Sequence, residues 1–523
     1  MSKLHDEPLL PDLIVTALNR FDDEPCIHLG DRVLSYADVR RQTSRLIQAL
    51  QSRGVVRGSR LAVLSKNRPE VLTNLTASMI NGTVITPLHP MGSFEDHAYV
   101  IGAAAIECLV VDVDHFAARV AEIKGRFPDL IVLGFGPSDV ADDYLALAST
   151  FEPRPLVAAQ VRPHDICTLG YTGGTTGLPK GVRLPQRVWS NLTFIQMAEW
   201  EFPRDVRMLV ATPLSHAAMT LLGPVLLHGG AFHVMEAFNP HGFFDLVEEH
   251  RITTTMIVPV MLYALQGHTR YRTADMSSME TIFYGASPMS PPKLADAIEL
   301  WGPIFFQFYG QSEAPMVVAH MKKGEHDLAK PERLASCGRP APWVHVALLD
   351  PDGHPVAPGE PGEICARGPL VMVGYEGMED QTAETLSGDW LHTGDVGRFD
   401  DDGFLYIVDR TKDMVITGGF NVFPREVEDV ISTHEAVNTV IVVGVPDEKW
   451  GEAVKAVVVL SPGFEASDAL TAEIQALVKQ AKGSQQSPKS VDYVDEVPLT
   501  AVGKPDKKAV RARYWSGTDR SIG

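Results

Sequence analysis

A short stretch rich in glycine and threonine surrounds one lysine and has the composition of a phosphate-binding loop. It reads Tyr171-Thr172-Gly173-Gly174-Thr175-Thr176-Gly177-Leu178-Pro179-Lys180-Gly181. Glycines let backbone N–H groups approach an anion, threonine hydroxyls add donors, and the lysine offers a positive charge to a polyphosphate. It is not a Walker A loop, because Pro179 precedes Lys180 and Gly181 follows it. A flexible surface loop is the alternative interpretation.

Four further motifs follow this loop along the chain. In order they are Tyr309-Gly310-Gln311-Ser312-Glu313, Trp390-Leu391-His392-Thr393-Gly394-Asp395, Asp409-Arg410-Thr411-Lys412-Asp413 with Gly418-Gly419, and Pro498-Leu499-Thr500-Ala501-Val502-Gly503-Lys504. Together with the loop they resemble the adenylate-forming (ANL) superfamily, which contains acyl- and aryl-CoA synthetases, peptide-synthetase adenylation domains and beetle luciferases. The resemblance covers nearly the whole chain and implies an AMP-forming acid–thiol ligase that uses ATP, Mg²⁺ and coenzyme A.

The resemblance also implies where the nucleotide binds. Asp395 would accept both ribose hydroxyls, a role that suits a carboxylate with two oxygens, and Arg410 would add a second ribose contact. Tyr309 would line the pocket and stack near adenine. The other residues implied in nucleotide binding are Thr172, Gly173, Gly174, Thr175, Thr176 and Lys180 at the phosphates, Gly285, Ala286 and Ser287 beside adenine, and Gly310, Gln311 and Ser312 after Tyr309.

Two residues would act in catalysis at the phosphates. Glu313, with Thr172, would hold Mg²⁺, a hard cation suited to a carboxylate and phosphate oxygens. Ser312 stands where the family more often has threonine and keeps the hydroxyl. Lys504 would bridge the substrate carboxylate and the α-phosphate, which offsets the repulsion between two anions and stabilises the transition state.

The same family pattern implies a mobile C-terminal domain. Lys412 falls on the hinge position, so we expect an N-terminal adenylation domain over residues 1–411 and a small lid domain over 412–523 that carries Lys504. Gly418 and Gly419 would line the path of the coenzyme A thiol arm, because glycine backbone allows a close approach. The expected fold class is α/β, with helix-covered sheets and a β-rich subdomain followed by a small α+β domain.

The acid-binding region is indicated by Pro213-Leu214-Ser215-His216-Ala217-Ala218-Met219. It matches the region where relatives place a gating histidine, and a hydrogen-bonded structural role for His216 is the alternative. Small alanines beside a methionine, together with Phe420-Asn421-Val422-Phe423-Pro424, favour an extended hydrophobic acid such as a medium- or long-chain fatty acid. An aryl or steroid-side-chain acid, and an acyl carrier protein as the acceptor, stay open.

Three other classes of protein fit the sequence less well than a ligase. Gly310-Gln311-Ser312-Glu313-Ala314 lacks the second glycine of the Gly-x-Ser-x-Gly nucleophile elbow, so a serine hydrolase would leave the other motifs unexplained. A non-catalytic scaffold is disfavoured because both Glu313 and Lys504 are present. A luciferase has no positive feature in its favour.

Alternating helical and strand patterns predict the elements that position these residues. Strands are expected at 60–64, 84–88, 108–113, 130–133, 208–212, 255–258 and 281–284, and helices at 16–20, 36–53 and from Pro69 to Asn81-Gly82. This alternation indicates parallel sheets covered by helices. From about residue 335 short strands separated by Asp-Gly and Pro-Gly turns predict a β-rich part. After Arg410 a compact tail is expected, with strands at 414–416, 439–443, 453–459 and 491–494 and helices at 424–434 and 468–481.

The composition is that of a globular enzyme that acts on small molecules. In 523 residues, 66 acidic side chains outnumber 46 basic ones, for a net charge of -20. This balance argues against nucleic-acid binding and leaves at most peripheral membrane contact. Five scattered cysteines and a polar N-terminus predict a cytoplasmic protein. The oligomeric state, a homodimer included, is left open.

Overall fold

The computed structural model describes residues 7–29, 32–172, 179–410, 413–417, 420–447, 450–499 and 505–515. Two large, mostly parallel sheets form the first part of the chain. Their strands are β1 (Pro25–Leu29), β2 (Arg32–Ser35), β3 (Arg60–Leu64), β4 (Val84–Leu88), β5 (Cys108–Val111), β6 (Ile131–Gly134), β7 (Asp142–Asp143), β8 (Ile166–Thr172), β9 (Lys180–Pro185), β10 (Arg207–Val210), β11 (Ala231–Val234), β12 (Thr254–Ile257), β13 (Thr281–Gly285), β14 (Phe305–Gln311), β15 (Ala314–Met321) and β16 (Arg339–Pro340).

Each large sheet draws its strands from a different part of the chain. One has the order β7-β6-β5-β3-β4-β8-β9 and comes from a continuous segment. The other has the order β16-β15-β14-β13-β12-β10-β11-β1-β2, so the N-terminal strands β1 and β2 join strands made much later. The first sheet is therefore inserted between β2 and β10 of the second. A shared core joins them through side chains such as Leu61, Phe232 and Phe306.

Helices cover these sheets and continue into the C-terminal part. They are α1 (Leu10–Arg20), α2 (Tyr36–Ser52), α3 (Pro69–Asn81), α4 (Phe94–Ala103), α5 (Val113–Arg126), α6 (Tyr144–Ser149), α7 (Gln186–Glu199), α8 (Leu222–Leu227), α9 (Pro240–His250), α10 (Pro259–Gln266), α11 (Pro291–Trp301), α12 (Glu379–Thr385), α13 (Pro424–Ile431), α14 (Asp468–Lys482) and α15 (Lys507–Ala512).

A β-rich part and a compact C-terminal domain complete the chain. Their strands are β17 (His345–Leu349), β18 (Gly362–Arg367), β19 (Leu386–Ser387), β20 (Trp390–Phe399), β21 (Leu405–Arg410), β22 (Val415–Thr417), β23 (Phe420–Val422), β24 (Val437–Asp447), β25 (Gly451–Leu460) and β26 (Ser490–Tyr493). The β-rich sheet has the order β17-β18-β20-β19, with β21 beside β20. The C-terminal sheet has the order β23-β22-β25-β24, with β26 beside β25, and packs its own core against α13 and α14.

The expected α/β fold is confirmed: a large N-terminal part of helix-covered sheets is followed by a small C-terminal domain. Local signals place several elements correctly. Helix α3 starts with Pro69 at its first turn and ends at Gly82, whose φ of 72° is the left-handed conformation that favours glycine. The first helix begins at Leu10, before the expected Thr16. Asp409 and Arg410, the first two residues of the motif that contains the predicted hinge residue Lys412, end strand β21.

In the part of the chain that the structure describes, no helix is both long and apolar enough to span a membrane. All five cysteines are buried free thiols. Burial raises the pKa of Cys108 to about 12 and that of Cys167 to about 12, so these thiols stay protonated and act as small apolar side chains.

Candidate active site

A buried carboxylate, Asp395, joins the large second sheet to the β-rich part. Its Oδ2 accepts a hydrogen bond from the Tyr309 hydroxyl at 2.7 Å and another from Gln311 Nε2 at 2.7 Å. Gln311 Nε2 also donates to the Thr393 carbonyl at 2.9 Å. Asp395 is only 5% exposed, so these donors offset much of the cost of burying its charge. Burial, and then the charge of Asp395, raise the pKa of Tyr309 well above its usual range.

The turn that carries Asp395 is fixed by Glu363 on the neighbouring strand β18. Glu363 Oε1 accepts from the Gly394 N–H at 2.9 Å, and Oε2 lies 2.7 Å from His392 Nδ1. The Thr393 hydroxyl donates to the Ile364 carbonyl at 2.6 Å. Glu363 therefore orients the turn of residues 392–395 from the neighbouring strand β18. Sequence reasoning missed this residue, whose one local signal is a carboxylate at the start of a predicted strand.

The ends of the glycine- and threonine-rich loop are held by a hairpin. Strands β8 and β9 pair antiparallel with Thr172 opposite Lys180, so these two residues flank the loop. The Lys180 ammonium lies 4.9 Å from the centre of the Tyr375 ring. The Tyr375 hydroxyl in turn donates to Glu313 Oε1 at 2.8 Å. The structure thus brings Lys180 and Glu313 to either side of one tyrosine.

Tyr375 was also missed in the sequence. It is 6% exposed, and burial, followed by the charge of Glu313, raises its pKa. At neutral pH it is therefore a donor to the carboxylate. An isolated bridge between Val182 and Tyr375 seats this residue against β9. The contacts of Tyr375 join segments that are distant in the sequence, so no local spacing of residues predicts them.

The donor set at Glu313 suits a hard divalent cation. The carboxylate is half-buried and held by one hydrogen bond at Oε1, and its Oε2 accepts no hydrogen bond from any described residue. Such a fixed carboxylate is the kind of ligand that Mg²⁺ takes together with phosphate oxygens. Thr172, the other residue predicted to hold Mg²⁺, is the last residue of β8 and lies opposite Lys180.

The turn after β13 is under backbone strain. Ala286 has a φ of 64°, and Met316, which follows the Tyr309 motif, has a φ of 66°. Non-glycine residues rarely adopt this left-handed conformation, and they cluster at functional sites. A Cβ on Gly285 would collide with the Phe308 carbonyl oxygen, and one on Gly310 with the Met316 nitrogen. Both glycines are therefore required by close backbone approach. Ser287 is half-buried and Ser312 is exposed.

His216 lies some way along the chain from these groups, at the start of a 3₁₀ turn over Ala217–Leu221. Its Nδ1 is 2.9 Å from the Ser215 hydroxyl, and its ring meets the His89 ring edge-on with centres 4.7 Å apart. Burial lowers the pKa of His89, which sequence reasoning did not single out. Ala218 and Met219 are buried in the main core, so these two side chains fill space rather than line a wide opening.

Several predicted residues lie outside the described part of the chain. They are Gly173, Gly174, Thr175, Thr176, Lys412, Gly418, Gly419 and Lys504. Arg410 is described through its backbone, which pairs with Asp395 across strands β20 and β21. Of the remaining nucleotide-site predictions, Tyr309 and Gln311 on β14 are brought into hydrogen-bond contact with Asp395 on β20 of the β-rich sheet. Their roles stay predictions.

Comparison with known proteins gives consistent matches over the full length. Residues 15–376 match the family described as AMP-binding enzyme, and residues 426–504 match its C-terminal domain. The chain is 50% identical over 522 residues to the medium/long-chain-fatty-acid–CoA ligase FadD8 of Mycobacterium tuberculosis, covering 98% of this chain and 91% of the relative.

Two further matches differ in the chemistry that their names describe. The feruloyl-CoA synthase of an Amycolatopsis species is 38% identical over 493 residues, which cover 93% of this chain and 95% of the relative. The solved structure of the amide bond synthetase McbA from Marinactinospora thermotolerans superposes with a TM-score of 0.89 at 31% identity, covering 97% of this chain and all of that one, 100%. The fold is thus shared with a protein whose name describes an amide bond synthetase, and the sequence is similar to one named a feruloyl-CoA synthase.

Proposed function

Because the chain belongs to the AMP-binding enzyme family, we propose that it is an AMP-forming acyl-CoA synthetase. In the first half-reaction the carboxylate of the acid attacks the α-phosphate of ATP, forming acyl-AMP and releasing pyrophosphate. In the second, the thiol of coenzyme A attacks the acyl carbon, forming the thioester and releasing AMP. The observation that carries this proposal is the buried Asp395 carboxylate, held by Tyr309 and Gln311.

Asp395 binds the ribose of ATP in this proposal. Its position is fixed before the nucleotide arrives, because Glu363 holds the backbone of the turn and two donors hold Oδ2. A preorganised carboxylate loses little entropy on binding and can accept hydrogen bonds from sugar hydroxyls. The strained turn over Gly285–Ser287 forms the adenine side of the same pocket, where the small side chains let the backbone approach the base.

The triphosphate extends from there toward Lys180 and Glu313. Lys180 stabilises the phosphate charge, together with the loop that it closes, and Glu313 and Thr172 are the residues that would hold Mg²⁺. When bound, this ion supplies charge neutralisation at the phosphates. Tyr375 keeps Glu313 in place through the 2.8 Å hydrogen bond, so it is a positioning residue.

The second half of the machinery belongs to the C-terminal domain. We assign Lys504 to the adenylation step, where its ammonium would contact both reacting anions, and Gly418 and Gly419 to the thioester step. Residues 412–523 would rotate about Lys412 relative to residues 1–411 between the two steps. The support is the order of the motifs, with nucleotide residues before Lys412 and the lysine motif after it.

The acid in this proposal is an extended hydrophobic carboxylate, with His216 at the entrance of its site. Support comes from the 50% identity to a medium/long-chain-fatty-acid–CoA ligase. An aromatic acid is the second candidate, favoured by the 38% identity to a feruloyl-CoA synthase. The buried thiols suit a reducing compartment, so we place the reaction in the cytoplasm.

A panel of acids scored for AMP formation, with and without coenzyme A, tests the proposal. We expect pyrophosphate release with octanoate and longer acids, and thioester only when coenzyme A is added. Each buried CH₂ is worth about 0.8 kcal/mol, so kcat/KM should rise about fourfold per carbon until the site is full. Equal use of acetate and octanoate would contradict the hydrophobic site, and preference for ferulate would select the aromatic candidate. Acyl transfer to a carrier protein or an amine in place of coenzyme A would contradict the acceptor.

A further inference from the structure

Three histidines from distant parts of the chain meet on the large second sheet, outside the site described above. His28 lies on β1, His233 is its register partner on the parallel strand β11, and His250 is the last residue of α9. The rings of His28 and His233 are stacked with centres 3.8 Å apart. The His250 ring centre lies 4.7 Å from that of His233 and 5.7 Å from that of His28.

The middle histidine of this cluster lacks any polar partner. His233 is 3% exposed, and neither of its ring nitrogens makes a hydrogen bond within the described chain. Leaving a buried polar group unsatisfied costs about 1–3 kcal/mol, so such groups are rare and call for an explanation. A buried structural histidine would normally bond to a backbone carbonyl or a carboxylate. A ligand that accepts the imidazole lone pair would remove this cost.

Burial favours the neutral form of two of these imidazoles, His28 and His233, and the neutral form is the one that can bind a metal ion. Burial, and then the neighbouring imidazoles, lower the pKa of His233 to about 3, and burial followed by His250 lowers that of His28. Both are therefore neutral at physiological pH, with a lone pair available for coordination. The charge of Arg207 also lowers the pKa of His233, and this arginine forms an ion pair with Asp205.

We propose that His28, His233 and His250 form a binding site for a divalent transition-metal ion of the Zn²⁺ class. One ring nitrogen of each lies within 4.8 Å of those of the other two. Around a zinc ion with Zn–N bonds of about 2.0–2.1 Å, tetrahedral ligands stand ~3.4 Å apart, so a small inward movement is enough. Three imidazole nitrogens favour Zn²⁺, Ni²⁺ or Cu²⁺ over Mg²⁺ or Ca²⁺, which prefer oxygen ligands.

The movement required falls on the two outer residues. Two stacked rings cannot both direct a lone pair at one ion, so the His28 ring must turn about its Cβ–Cγ bond, a soft torsion. His28 and His250 are half-buried, which leaves them room to turn while His233 stays in place. Glu249 Oε1 lies 3.8 Å from His250 Nε2, on the exposed side, where a water or this carboxylate would complete four ligands.

The bound ion would tie the N-terminal strand β1 to β11 and to the end of α9. It would act on stability rather than on the reaction, because among the described residues the ring contacts of these ligands join them to one another and do not reach Tyr309, Gln311, Glu313 or Asp395. The test uses the full-length protein, freed of metal by dialysis against a chelator and titrated with Zn²⁺ in competition with a chromophoric chelator. The variants are His28→Gln, His233→Gln and His250→Gln. The control is His354→Gln, whose side chain is 77% exposed and lies outside the cluster.

We expect the parent protein and His354→Gln to bind one more equivalent of Zn²⁺ tightly than any of the three cluster variants. Zn²⁺ should raise the Tm of the first two proteins only, and Co²⁺ should give them a visible spectrum typical of tetrahedral nitrogen ligation. Acyl-AMP formation by the His28→Gln and His250→Gln variants shows that they are folded. Equal Zn²⁺ stoichiometry in all folded proteins, or a Tm shift that the cluster variants keep, would overturn the proposal.

Discussion

The hydrogen bond from Tyr375 to Glu313 gives a sharp test of how the phosphate side of the site is held. Tyr375→Phe removes one hydroxyl and keeps the ring, so the contact of Lys180 with the ring face and the buried area persist. What is lost is a donor 2.8 Å from a carboxylate oxygen. A hydrogen bond to a charged group contributes about 1.5–3 kcal/mol, which converts to a roughly 10- to 150-fold change in rate.

We therefore expect kcat/KM for ATP in acyl-AMP formation to fall by one to two orders of magnitude in Tyr375→Phe. The Mg²⁺ concentration for half-maximal rate should rise, because an unrestrained Glu313 holds the ion less well. Pyrophosphate release at varied Mg²⁺ measures both quantities. Tyr406→Phe is the matched control: its hydroxyl donates to Asp400 Oδ2 at 3.1 Å, away from the site. If Tyr375→Phe kept more than half of the parent kcat/KM, or if Tyr406→Phe fell equally, Tyr375 would not position Glu313.

Three further predictions have defined outcomes. Lys504→Ala should reduce acyl-AMP formation by at least a hundredfold and spare acyl transfer from preformed acyl-AMP to coenzyme A, and Gly419→Leu should do the reverse. Single-turnover assays of each half-reaction measure these effects. Equal loss in both steps would refute the proposal that the C-terminal domain rotates between them. Gly285→Ala should lower the free energy of unfolding by about 1–3 kcal/mol and weaken ATP binding, because the added Cβ would collide with the Phe308 carbonyl oxygen. Calorimetry measures both quantities, and values equal to those of the parent protein would refute the close approach of these two backbone segments. Lys507→Met should lower the free energy of unfolding by about 1–3 kcal/mol in urea, because it removes the ammonium 2.9 Å from the half-buried Glu428 carboxylate, which keeps its hydrogen bond from the Val442 N–H. Adding Glu428→Gln should recover part of the loss, and no recovery would refute the pairing.

The sequence was sufficient for elements whose limits are set by local chemistry. Pro69 and Gly82 bound α3 because one residue favours a helix start and the other a left-handed end. Short apolar runs placed β3 and β4 at their observed positions, Arg60–Leu64 and Val84–Leu88. The strands β1 and β2 were not predicted, although they form a short antiparallel hairpin with each other. The parallel partner of β1 lies about two hundred residues away, and the local pattern does not indicate it.

The parts of the site that were missed depend on contacts between segments that are distant in the sequence. Tyr309, Gln311 and Asp395 belong to motifs, and the structure brings them within hydrogen-bond distance. Glu363 reaches the turn because the β18–β20 pairing shifts register between Glu363 and Cys365, and such a bulge is a property of two strands together. Tyr375 likewise acts across a tertiary contact.

The interleaved order of the large second sheet has a consequence for how the chain is made. Ile27 pairs with Phe232, 205 residues later, so β1 leaves the ribosome long before its neighbour exists. At synthesis rates of about 5–20 residues per second, the N-terminal strands wait about 10–40 s with their apolar side chains unpaired. The strands β3 to β9, which form the first sheet, are synthesised in that interval, so this sheet is complete before β10 is made. Nascent chains of this protein should therefore bind chaperones through β1 and β2. Stalling translation just before β11 should leave the sheet of β3 to β9 folded and the N-terminal strands accessible to protease.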